Sequence, residues 1–424
     1  MAADVRVLVT GADQHQGLAI IRGLGKAGIP VIACGSRTRS IGFRSRFATE
    51  HYTYTSPRQN KADFIRDILA IMDRTKPGLL IPGVESSLVV LDENRAEVER
   101  RAPLAAADSA ALAVAVDKDA TVRLAIRLGV PAPITVCCST RAEALDQART
   151  LRFPVAIKPR GNALHGPTSH RLDFKVRYAR SPAELAQFLD SLGDAAGVPL
   201  IQECIRGTGV CVSAVMDHGR PLVLFPYRRV REVPLSGGVS VVRQSIALDP
   251  RLQQYVTALL GALRWHGIAM VEFKHDEDSD SYTLMEINPR FQASTALSLD
   301  AGLNLPQLVA HLYGCAPAAP DVSQYQVGVR ERWLEGDMMA LYQHLMDGGS
   351  SASAANPLYR APSRRGAILD FLKDFRPGVR YDEFKLYDWK PGLREAGVLG
   401  GLVAGWFGEG VRGGLRRLAG GRQR

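Results

Sequence analysis

The stretch that decides the fold runs from Gly267 to Leu297: GIAMVEF at 267–273, a short acidic turn, then YTLMEINPRFQASTAL at 282–297. Two apolar, strand-like runs each deliver a carboxylate, Glu272 and Glu286. On a strand, residues two apart share a face, so Glu286, Asn288 and nominally Arg290 point the same way. Pro289 ends or bends that strand. Paired carboxylates on adjacent strands are often no more than a charged face or salt-bridge partners. Here the apolar setting weakens that reading, because buried carboxylates are costly unless a cation compensates them. Hard oxygen ligands on rigid strands beside an arginine point to Mg²⁺ holding a phosphate.

Upstream, Val5 to Thr10 is a buried-strand pattern, GADQHQG follows, and Leu18 to Lys26 has helical spacing before the strand PVIAC at 30–34. This is a βαβ unit in which Gly11 and Gly17 permit a tight turn and close approach of an anion. The G-x5-G spacing and the absence of an acid after Cys34 do not match the dinucleotide fingerprint, so a plain βα turn is equally open. A helix at 64–73 leads to the strand LLIPG at 79–83, and 84–100 reads as one further helix. Two β-loop-α units predict a doubly wound parallel sheet for residues 1–115, with Gly11–Gln16 and Gly83–Ser87 at its carboxyl edge.

Lys118 opens a helix, and Lys158 ends the apolar strand in FPVAIKP. Strand-end lysines are commonly just solvated, yet two at structural boundaries suit phosphate oxygens. The polar loop 159–174 reads as a mobile lid. Ser181 and Glu184 form a capping box. PLIQECI at 199–205 is a strand breaking into a hinge, and Asp217-His218-Gly219 centres a hairpin. Arg228, Arg229, Arg231 and Arg243 flank Ser236-Gly237-Gly238, a pattern that grips an anion bidentately or forms a solvated hairpin.

With 46% hydrophobic and 23% charged residues the chain is globular. Its 53 basic and 43 acidic side chains leave +10. The arginines are scattered rather than striped with aromatics, which argues against nucleic acid. Six cysteines show neither CxxC pairs nor Cys/His ligand spacing, as expected of buried thiols in a reducing cytosol. No secretory signal or membrane-spanning run is visible, so the expected location is cytoplasmic.

In series, Asp117-Lys118, FPVAIKP, LIQECIRG, VEF and LMEINPR resemble an ATP-grasp enzyme of the carbamoyl-phosphate synthetase-like kind, over about residues 5–315. The resemblance implies an α/β domain at 1–115, a lid subdomain at 116–200, a subdomain with the metal site at 201–319, and an extension at 320–424. It implies ATP, with Lys118 and Lys158 on the phosphates and Gln202, Glu203 and Ile205 lining the adenine. Glu272, Glu286 and Asn288 would ligate one or two Mg²⁺ or Mn²⁺ ions. Arg290, with Lys158, would act on the transferred phosphoryl. The implied reaction joins a carboxylate, activated as an acyl phosphate, to an amine, with Arg228, Arg231 and Ser236–Gly238 gripping a substrate carboxylate. Carboxylating, kinase-like and catalytically silent nucleotide-binding relatives are the alternatives. Two departures stand out: Thr208-Gly209 occupy the place of the family's ribose acid, and RGNALHGPTSH lacks the usual glycine-rich run.

Residues 320–424 read as helical and irregular, with helices in WLEGDMMALYQHL and AILDFLKDF separated by a Gly/Ser/Ala linker at 348–355. The basic, amphipathic stretch 399–424 admits peripheral contact with an anionic membrane at the inner face, or docking, or disorder, since its glycines weaken a helix. A homodimer is the expected assembly.

Overall fold

In a computed structural model of the chain the described residues are 5–159, 176–192, 197–316 and 318–401. The first four strands are β1 (Val7–Val9), β2 (Val31–Gly35), β3 (Ala48–Thr53) and β4 (Leu79–Ile81), parallel and ordered β3-β2-β1-β4. Val7, Leu8 and Val9 have no exposure, as befits a parallel sheet covered on both faces. The helix His15–Lys26 buries Ile20, Ile21 and Leu24 against it. The helix Lys61–Thr75 starts at Asn60, whose side chain accepts from the Ala62 and Asp63 amides. The single helix expected over 84–100 breaks into Glu85–Glu93 and Arg95–Glu99. At the break, Asn94 leaves helical geometry and donates its side-chain amide to the Val90 carbonyl at 2.8 Å, competing locally with the backbone ladder.

A small sheet follows, built from β5 (Thr135–Val136), β6 (Val155–Lys158), β7 (Arg177–Ala179) and β8 (Leu200–Glu203), antiparallel in the order β5-β8-β6-β7. Ser181 Oγ caps the helix Pro182–Ser191 through the Glu184 amide, and Glu184 accepts in return from the Arg180 amide at 2.7 Å.

The largest sheet has seven strands, ordered β13-β12-β9-β10-β11-β14-β15. They are β9 (Thr208–Asp217), β10 (Arg220–Val233), β11 (Val239–Ser245), β12 (Gly267–Asp276), β13 (Ser281–Asn288), β14 (Arg330–Arg332) and β15 (Val379–Tyr381). The last two come from the segment read as helical and irregular, so that segment extends the central sheet as well as supplying the helices Leu334–Asp347 and Arg364–Lys373. β14 escaped sequence reading because its Arg-Glu-Arg pattern looks solvent-facing, whereas Glu331 and Arg332 are fully buried in ion pairs. The expected linker turns at Gly348 and Gly349, both at positive φ, and then forms the helix Ser350–Ala355. The lid reading falls mostly on 160–175 and the tail reading on 402–424, both outside the described residues.

Candidate functional site

β12 and β13 pair antiparallel with Glu272 directly opposite Glu286. Around these two carboxylates three other segments converge. Lys118, first residue of the helix Lys118–Arg127 and positioned by the Asp117 cap, brings Nζ to 3.4 Å from Glu286 Oε2. Asn288 donates to Glu286 Oε1 at 3.0 Å. Arg229 of β10 donates to Glu272 Oε1 at 2.6 Å. Arg290 reaches Asn288 Oδ1 at 3.4 Å and lies 3.6 Å from Glu85 Oε2, at the carboxyl edge of the N-terminal sheet.

Electrostatics separate the two acids. Burial raises the Glu272 carboxyl, and the charge of Glu286 adds to burial against the relief from Arg229. For Glu286 burial also opposes the charge, but Lys118, the Asn288 amide, Lys158 and Arg290 outweigh it and draw the group down to about 2. Lys118 is raised, chiefly by Glu286. Lys158, at the end of β6, is lowered to about 8, chiefly by burial, and donates to Gln202 Oε1 at 2.7 Å. Gln202 in turn donates to Thr135 Oγ1 at 2.9 Å, fixing its amide.

Beside this centre, between the small and large sheets, lies a cavity of about 620 Å³. Ala156, Lys158, Tyr178, Glu203, Ile205 and Met285 line its first part. Its far wall comes from the C-terminal segment, including His344, Tyr359 and Phe371. An apolar slot between two sheets, edged by a hinge strand, suits a flat heteroaromatic ring. Sequence reading named the hinge but missed Tyr178 and Met285, which become neighbours of the hinge only through sheet packing.

The arginines divide differently from the sequence reading. Arg228 is exposed and donates to Gln244 Oε1 at 2.8 Å. Arg231 is held by both oxygens of Asp337 at 2.7 Å and by Asp374 at 2.5 Å. Arg229, between them, reaches the acidic pair instead. A bulge lies between Arg229 and Arg231 and shifts the side-chain phase there. Ser236 and Gly237 line the cavity, and the Ser236 carbonyl accepts from Asn356 at 2.7 Å. The Gly238 amide donates to Glu232 Oε2 at 3.0 Å. Arg229 also accounts for Gly209: a Cβ there would lie 2.6 Å from Arg229 Cδ, so an acidic side chain has no room. In the N-terminal loop, a Cβ at Gly17 would stand 2.1 Å from the Gly11 carbonyl oxygen, so the tight turn requires glycine there.

The family described as "ATP-grasp in the biosynthetic pathway with Ter operon" matches residues 198–336. The arginine-specific carbamoyl phosphate synthase large chain of Halalkalibacterium halodurans is 26% identical over 207 residues, which is 46% of this chain and 19% of that one. The chain therefore spans about a fifth of the length of this curated relative. Among solved structures, the biotin carboxylase domain dimer of Hydrogenobacter thermophilus 2-oxoglutarate carboxylase, in complex with MgADP, ADP and bicarbonate, is similar with a TM-score of 0.58. It is 16% identical and covers 77% of this chain and 73% of that chain. The L-amino acid ligase of Bacillus licheniformis has a TM-score of 0.56 at 15% identity, covering 75% of each chain.

Proposed function

Taking the chain as an ATP-grasp protein, we propose that it is an ATP-dependent ligase that activates a carboxylate as an acyl phosphate and joins it to an amine, releasing ADP and phosphate. The observation that carries the reading is the convergence of Lys118 and Arg229, from two other segments, on the opposed pair Glu272 and Glu286, with Lys158 and Arg290 near enough to draw Glu286 down. Adenine would enter the slot lined by Glu203, Ile205 and Met285, with Gln202 orienting Lys158 toward the phosphates. Glu272, Glu286 and Asn288 fit Mg²⁺ or Mn²⁺ in one or two copies: they are hard oxygen donors, and the burial and the repulsion from Glu286 that raise Glu272 are what a cation would offset. When bound, the ion neutralises phosphate charge during transfer.

In this reading Lys118 and Lys158 hold the phosphates, and Arg290, steadied by Glu85 and Asn288, faces the oxygens of the transferred phosphoryl. The small sheet and the C-terminal helices exclude water from an intermediate that hydrolyses readily. Arg229 is a better placed candidate for a substrate carboxylate than Arg228 or Arg231, because it already meets the acidic pair. Arg228, Arg231 and Ser236–Gly238 would then shape the wall behind it. A cytoplasmic homodimer completes the proposal, in keeping with an ATP-consuming reaction and with the dimeric Hydrogenobacter domain.

The test is ADP release with Mg²⁺ across a panel of acids and amines. Turnover requiring both an acid and an amine supports ligation, and turnover requiring bicarbonate alone transfers the assignment to carboxylation. Glu286→Gln is expected to lower kcat by at least about a hundredfold, the scale of losing transition-state charge stabilisation. A fully active Glu286→Gln protein sinks the metal assignment.

A further inference from the structure

Residues 382–395 pack against the start of the helix His15–Lys26 and bury three acidic side chains there, Asp382, Glu383 and Glu395. Arg22, two helical turns beyond His15 on the same face, anchors the incoming segment. Its guanidinium donates to the carbonyls of Asp382 at 2.6 Å, Glu383 at 2.9 Å and Asp388 at 2.9 Å, and to the Asp388 carboxylate at 2.8 Å. This fixes Asp382 and Glu383 beside His15, whose Nδ1 lies 2.8 Å from Glu383 Oε1. The Trp333 ring covers the imidazole, with centroids 4.8 Å apart.

Glu383 is 0% exposed, Glu395 1% and Asp382 3%. Glu383 Oε1 meets His15, and among the described residues Glu383 Oε2, Asp382 Oδ2 and Glu395 Oε1 have no hydrogen-bond partner. Asp382 Oδ1 is taken by Arg243. Buried carboxylate oxygens without partners are expensive, and three of them face one another here.

We propose that His15, Asp382 and Glu383 form a binding site for a first-row divalent cation, Zn²⁺ or Mn²⁺, with Glu395 behind them. Their ligand atoms lie within 4.8 Å of one another. Bonds of about 2.0–2.2 Å would draw them together by roughly an ångström. One imidazole with carboxylates is a donor set these ions accept, and the complete burial of Glu383 suits a bare ion rather than a substrate. The site shares no residue with the Glu272, Glu286 and Asn288 set, which has no imidazole. On binding, the ion enters and the His15 proton leaves to solvent, which frees the imidazole nitrogen to coordinate. The ion would clasp residues 382–395 to the N-terminal domain beside Gly11–Gln14.

The test uses the full chain carrying Glu286→Gln, which disables the other candidate set. The protein is stripped with chelator, equilibrated with Zn²⁺ or Mn²⁺ alone, desalted, and its metal content measured by mass spectrometry. We expect about one equivalent retained, a loss of tenfold or more with His15→Ala or with the isosteric Glu383→Gln, and a metal-dependent rise in Tm of several degrees confined to the parent. If His15→Ala does not fold, Glu383→Gln carries the comparison. Failure of the parent to retain metal overturns the proposal, as does equal retention by Glu383→Gln. ATP turnover is not read, so the outcome is independent of the ligase assignment.

Discussion

Lys158 offers the sharpest quantitative test of the nucleotide site. Burial lowers its amine to about 8, so near pH 7 the free protein carries a charged Lys158 and near pH 9 mostly a neutral one. Phosphates require the charged form. With an apparent pKa of about 8, the protonated fraction falls roughly tenfold between pH 7 and pH 9, and the Kd for ATP should rise by about that factor. Lys158→Met should bind more weakly near pH 7, by about 1.5–3 kcal/mol for a charge-assisted contact, and should lack the added slope above pH 8. Isothermal titration of both proteins from pH 7 to 9.5 makes the comparison, with the variant correcting for titration of the nucleotide itself. The linkage has a stability side. Folding weakens proton binding relative to an ordinary lysine near 10.5, so the unfolded chain holds the extra proton between about 8 and 10.5. In that window Lys158 contributes increasing stability as pH rises, up to about 3 kcal/mol. Parallel ATP affinity profiles for wild type and Lys158→Met would refute the placement of this amine at the phosphates.

Arg22→Met should cost about 3–5 kcal/mol, because it leaves the buried Asp388 carboxylate without its counter-ion, held only by Ser45 and the Arg46 amide, and removes the donor to three carbonyls; urea unfolding measures it, and a cost below about 1 kcal/mol contradicts the buried ion pair. Met285→Trp fills the slot beside Ile205, so KM for ATP should rise by about tenfold or more with Tm nearly unchanged, an overpacked cavity wall rather than an overpacked core. Unchanged KM would move the adenine elsewhere. Gly17→Ala sets a Cβ 2.1 Å from the Gly11 carbonyl oxygen and should destabilise by about 1–3 kcal/mol, read as a fall in Tm; an unaltered Tm would mean that the turn is free to rearrange.

What the sequence discloses here is local and periodic. Val7–Val9 and Leu79–Ile81 announce buried parallel strands by composition, and Glu286-x-Asn288 shows its shared face by alternation. Lys118 and Lys158 are visible because each stands at an element boundary. Arg229 is visible beside the Gly-Gly turn, but its partner Glu272 is not, because a bulge shifts the side-chain phase without leaving a mark in composition. The partners of Arg231, Asp337 and Asp374, lie 106 and 143 residues away, and no local pattern reports such pairing. β14 was hidden for a related reason: charged residues look solvent-facing until their buried counter-ions are known.

The contacts of Arg22 also order events in time. Its acceptor Asp388 lies 366 residues downstream, and at about 5–20 residues per second the ribosome takes roughly 20–70 s to reach it. For that interval the nascent first domain carries a guanidinium destined for burial that has only water to bind. The domain made first is therefore the last to be completed, and a message truncated before codon 388 would leave a folded-looking N-terminal unit with an exposed flaw for proteases to find.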